Sequence, residues 1–150
     1  MRRGLLIALA LLVGCSDGSG GADAAGAARP LAALRQQGGV AGAESYLVVT
    51  RGGSATLIRQ AAHPDTVAWI VPTSQRTQLQ ALVASPDFLR ADSIYFPPKA
   101  CCDRITTALT VYQEGKPPRT IRSLDGADRP GVVELTVGLL RQIIATGTAQ

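Results

Sequence analysis

The chain has 150 residues, 46% of them hydrophobic and 17% charged, with a formal net charge of +4. That length suits a single domain with a packed core and excludes two comfortable ones. After Arg2 and Arg3 no block of Lys or Arg follows that would track a phosphate backbone, so nucleic acid is not an expected partner.

The amino terminus carries the most specific signal. Arg2 and Arg3 precede an apolar run from Leu5 to Val13, then Gly14 and Cys15. A cationic start, a short apolar stretch and a small residue before the cut make a secretory signal peptide over residues 1–14. The run is about half the length needed to span a bilayer. Leu12-Val13-Gly14-Cys15 resembles the lipobox of bacterial lipoproteins. That resemblance implies diacylglyceryl transfer to the Cys15 sulfur, cleavage after Gly14 and acylation of the new amino terminus with palmitate-type chains. Removing Arg2 and Arg3 lowers the formal charge from +4 to +2. More than one acyl chain gives stable anchoring, so the membrane is an expected partner and the cell envelope the expected address. Ser16 after the cysteine, rather than Asp, implies by the same resemblance an outer-membrane destination if the source has two membranes.

Residues 16–28 are almost entirely Gly, Ala, Ser and Asp, which bury too little apolar surface to offset ordering entropy. Residues 15–37 are therefore expected to be a lipidated cysteine and a tether, with a short helical turn at Arg29–Gln37 as an option. The folded domain is expected over residues 38–150. Tyr46–Thr50 and Ala55–Arg59 read as a hairpin around Arg51-Gly52-Gly53-Ser54. Thr66–Val71 is a third extended stretch around Trp69, closed by Pro72.

Ser74–Ala84 has helical periodicity, with Thr73 or Ser74 as the cap and a stop enforced by Pro86. Ile105–Tyr112 alternates cleanly as a strand, and Arg119–Leu124 returns after the Glu114-Gly115-Lys116 turn. Asp128 is the expected cap of a last helix with a stripe of Val132, Leu135, Leu139, Leu140, Ile143 and Ile144. The expected class is α+β: an antiparallel sheet of about four strands, two helices on one face, in the order β-β-α-β-β-α.

Chemistry is sparse. His63 is the only histidine, and no nucleophile elbow, zinc-binding helix or phosphate-cradling loop is present. No catalytic residue, cofactor or metal is expected, and the protein does not read as an enzyme. Cys101 and Cys102 stand side by side. In an oxidising compartment they form a vicinal disulfide, stay reduced or pair between molecules, or serve metal or redox work with Asp103 and His63.

Gly38-Gly39-Val40-Ala41-Gly42 precedes the first hairpin, which has its own glycine tip at Gly52-Gly53. A helix with Leu79-Gln80-Ala81-Leu82-Val83 follows, ending in Ser85-Pro86-Asp87-Phe88; Asp103 then precedes a Thr-rich strand, and a Leu-rich helix closes the chain. Over roughly Gly38 to Ile144 this order is similar to emfourin-like domains, whose named member inhibits thermolysin-like metallopeptidases. The stretch Ala61–Trp69 departs from that pattern by its length, and neither the cysteine pair nor the lipid anchor belongs to the inhibitor. The resemblance implies a non-catalytic protein-binding domain that occludes a metallopeptidase. Gly38, Gly39, Val40, Ala41, Gly42, Gly52 and Gly53 are the implied contact residues. Two alternatives stand beside it. One is a structural or assembly lipoprotein docking through its sheet edge or the Trp69 region. The other is a redox or metal-handling protein using Cys101 and Cys102.

Overall fold

The computed structural model describes residues 26–39, 42–60, 63–99 and 103–149. The lipobox, Val40 and Ala41, and the Cys101–Cys102 pair lie outside the described residues. Seven strands form one mixed sheet: β1 (Pro30–Gly38), β2 (Ala43–Thr50), β3 (Ser54–Gln60), β4 (Asp65–Ile70), β5 (Ile94–Tyr95), β6 (Ile105–Val111) and β7 (Arg119–Leu124). Three helices are complete among the described residues: α1 (Thr73–Ala84), α2 (Pro86–Arg90) and α3 (Gly131–Gly147). The spatial order is β4-β3-β2-β1-β6-β7-β5. All neighbours are antiparallel except β5, which pairs parallel to β7 through Ile94–Arg122 and Tyr95–Ser123.

This corrects the expected four-strand antiparallel sheet with two helices. The largest correction is β1. Residues read as tether or helical turn form the central strand, paired to β2 on one side and β6 on the other. Leu31, Ala32, Ala33 and Leu34 are all buried, so the alternation that marks a half-exposed strand is missing there. Alanine and leucine also favour helix when nothing else decides. β5 has two residues, too few to show any period, and it supplies the parallel pair.

Alternation elsewhere separates the two faces of the sheet. Leu34 lies between Leu47 and Leu109, and Ala32 between Val49 and Val111. These residues join Leu57, Ile121, Leu79, Val83, Phe88, Val137, Leu140 and Ile143 in one core, which places the helices on that face. Each leucine so buried contributes about 2 kcal/mol of transfer free energy. The opposite face carries Thr56, Tyr46, Arg35, Ala108 and Arg122, and among the described residues no helix of the core cluster covers it.

The helix caps and stripe also differ from expectation. α1 and α3 start after Pro72 and Pro130, neither with a side-chain cap. The prolines themselves occupy the cap positions, so neither Thr73 or Ser74 in α1 nor Asp128 in α3 is the cap. Ser85 does cap, accepting from the Phe88 amide at 3.2 Å at the start of α2. In α3 the expected Leu139, Leu140 and Ile143 are buried and Val132 and Ile144 pack partly buried against the core, but Leu135 is 62% exposed and Val133, Thr136 and Val137 are buried beside them. Thr136 is accommodated because its hydroxyl donates to the Val132 carbonyl at 2.7 Å. Among the described residues, no helix is long and apolar enough to cross a membrane.

Candidate functional site: the glycine turn at one end of the sheet

A meander places successive turns at opposite ends of the sheet. The β1–β2 turn carries Gly38, Gly39 and Gly42, whereas Gly52 and Gly53 sit in the β2–β3 turn. From Pro30 to Gly38, β1 rises by about 27 Å, and this separates the two glycine groups. The structure therefore does not bring the two candidate contact regions together.

The β1–β2 turn is built tightly. Gly38 pairs with Ala43 of β2 and with Ile105 of β6 while holding φ +118°. A Cβ there would lie 2.5 Å from the Arg104 carbonyl oxygen. Gly39 and Gly42 also have positive φ, and the Gly42 amide donates to the Gly39 carbonyl at 3.0 Å. Only glycine enters such a sequence of left-handed conformations without strain. Two ion pairs flank the turn, Arg35–Glu44 at 2.6 Å and Arg59–Asp65 at 3.0 Å.

Beneath the turn lies a pocket of about 260 Å³, lined by Gln36, Gly38, Glu44, Ser45, Arg59 and Ile105 among others. With its amide oxygen turned to α3, Gln36 accepts from Arg141 at 3.0 Å. The same end of the sheet holds Arg104, which donates to the carbonyls of Asp125 and Lys99 and fastens the approach to β6. Asp103, two residues before β6, has φ +62° and is exposed. His63, in the β3–β4 link, is exposed as well. Among the described residues, no group of three or more His, Cys, Asp and Glu side chains is placed to hold a metal.

The β2–β3 turn is a packed joint. The Gly52 amide donates to the Ala27 carbonyl at 2.8 Å, and Arg76 of α1 donates to the Gly52 carbonyl at 2.9 Å. Gly53 is buried, and its carbonyl accepts from the Val71 amide at 2.8 Å. Trp69 is packed too: Gly147, the last residue of α3, leaves room for its indole, which a Cβ would penetrate.

The sheet edge and the Trp69 region, the two docking surfaces of the structural-lipoprotein alternative, fall on one strand, β4. Among the described residues, β4 has β3 on one side and no strand on the other. It contains no proline, its one charge is Asp65 at its start, paired to Arg59, and Ile70 is 72% exposed. Edge strands are ordinarily blunted by such residues. The signal was present in Asp65-Thr66-Val67-Ala68-Trp69-Ile70, but edge position follows only from strand order. No protein-family model matches the chain, and no curated protein matches it.

Proposed function

We propose that this protein is a lipid-anchored envelope protein whose α+β domain binds a protein partner without catalysis. Inhibition of a thermolysin-like metallopeptidase is the leading form of that binding. Its anchor is the acylated Cys15, and the outer membrane is its address in a two-membrane source.

The observation that supports this reading is the polarity of the domain. The first described residues, Gly26–Arg29, lie beside Gly52 and Arg51. The Gly38–Gly42 turn stands at the far end of β1. A chain held by its amino terminus thus presents that turn away from its anchor. Gly38 is locked into two ladders, so little conformational entropy is lost when a partner is met. Gly38, Gly39 and Gly42 hold positive φ at this end, and the Gly38–Gly42 stretch is the segment the inhibitor reading lays along a substrate cleft. Gly52 and Gly53 serve the opposite, anchored end.

The open β4 edge favours the second reading, a structural or assembly lipoprotein that takes an extended segment of a partner by strand addition. Two experiments test the proposal. Cys15→Ala is expected to abolish acyl labelling and membrane fractionation, and continued labelling refutes the anchor. The mature chain is expected to co-elute uncut with a thermolysin-like peptidase. Rapid degradation instead makes it a substrate.

A further inference from the structure

The end of the domain at which the chain enters carries a cationic patch. Arg29 precedes β1, and its carbonyl accepts from the Arg51 amide at 2.9 Å. Arg51 donates to the Tyr112 carbonyl at 2.8 Å, joining the β2–β3 turn to the end of β6. Arg76 reaches the same turn from α1. Lys116 is exposed in the β6–β7 loop, which opens at this end because Val111 pairs with Ala32 and Arg119. Two adjoining hollows share Arg51, Tyr112, Gln113 and Glu114; Arg29 lines one and Lys116 the other.

Among the described residues, Glu114 is the one carboxylate lining these hollows. The nearby Asp87–Arg90 pair cancels itself. Away from that end the charges are mixed: Arg35, Arg59 and Arg129 are paired to Glu44, Asp65 and Glu134, and Lys99, Arg104, Arg122 and Arg141 stand against Asp103, Asp125 and Asp128 in the loops beside β6 and β7. The surplus of positive charge is therefore concentrated at the amino-terminal end.

The chain connection gives that patch its partner. Eleven residue steps separate Cys15 from Gly26, a reach of at most about 40 Å. If Cys15 is acylated, this end of the domain stays within that distance of the headgroups. We infer that the Arg29–Arg51–Arg76–Lys116 end is a docking surface for anionic phospholipid headgroups, seating the domain upright with the Gly38–Gly42 turn pointing away. The inference rests on the lipid-anchor reading above. A chain plus basic residues on one surface is a sufficient membrane attachment, and the electrostatic half is screened by salt.

The two lysines make the test internal to the native chain. Lys116 lies at the cationic end, and Lys99 lies beside Arg104 at the other. The mature lipoprotein is reconstituted in phosphatidylcholine vesicles, with or without phosphatidylglycerol, and labelled with a water-soluble amine reagent. Mass spectrometry then gives the ratio of Lys116 to Lys99 modification. Anionic vesicles are expected to lower this ratio about threefold, and about 0.5 M salt is expected to restore it. Arg29→Glu, a change at an exposed residue, is expected to reduce the protection. Equal labelling in both vesicle types, in protein shown to carry acyl chains and to float with them, overturns the docking surface and leaves the anchor intact. Absence of acylation and flotation removes the anchor, and the inference falls with it.

Discussion

Two glycines of α3 show how one added methyl group has opposite effects at different sites. At Gly138 a Cβ meets nothing within 4 Å, so Gly138→Ala is expected to stabilise the domain by about 1 kcal/mol through helix propensity. At Gly147 it would enter the Trp69 ring. Gly147→Ala is expected to cost about 2 kcal/mol and to shift the fluorescence of the single tryptophan; urea melts of both variants check the pair. Tyr46 supplies a pH prediction. Burial, then the facing Tyr112 phenol as a charge and a hydrogen-bonding neighbour, raise its pKa above the ordinary 10.0, with Arg35 opposing. Above pH 10 the unfolded chain loses this proton while the folded one still holds it. The folded state then binds more protons, so stability falls as pH rises through that window. Tyr46→Phe is expected to flatten the loss in alkaline denaturation. A native-like decline in the variant would assign it elsewhere.

The elements differ in how openly the sequence announces them. β2, β3, β6 and β7 alternate or end in glycine turns, and α1 and α3 carry helical spacing, so their existence follows from local pattern. β1 does not, because Leu31 to Leu34 are buried without alternation and are chemically suited to a helix. Only its place between β2 and β6 makes it a strand. The same gap misplaced Leu135 in the α3 stripe: it fits helical spacing as well as Val133 does, and the sheet beneath the helix decides which of the two is buried. A chain beginning at Gly38 is therefore expected to remain unfolded by circular dichroism and proton NMR, since it lacks the strand both halves of the sheet pair with. One beginning at Gly26 retains that strand and is expected to fold. At the sheet's other side, Arg119 donates to the Leu89 carbonyl at 2.6 Å and also to that of Ala91, clasping the end of α2 to β7. Lysine presents a single ammonium in place of this fork. Arg119→Lys is expected to cost about 1–2 kcal/mol in chemical denaturation.

At the scale of the whole molecule, the seven-strand order sets one end against the other. Gly26, Gly52 and the cationic surface share the entry end, and the glycine turn stands at the far end of β1. The glycine-rich Gly38–Gly42 stretch was legible in the sequence as a turn. Its separation from Gly52-Gly53 was not, because that depends on β1 being a full strand. Separation also makes the functional claim specific: substitution at the far turn should affect partner binding without loosening the fold. The most direct measurement is a progress curve of a thermolysin-like metallopeptidase with the mature chain titrated in, beside a Val40→Lys variant matched for thermal stability. Slow-onset, stoichiometric loss of activity with the native chain, weakened in the variant, is the predicted result. Undiminished peptidase activity at excess of the intact, uncut native chain would contradict it.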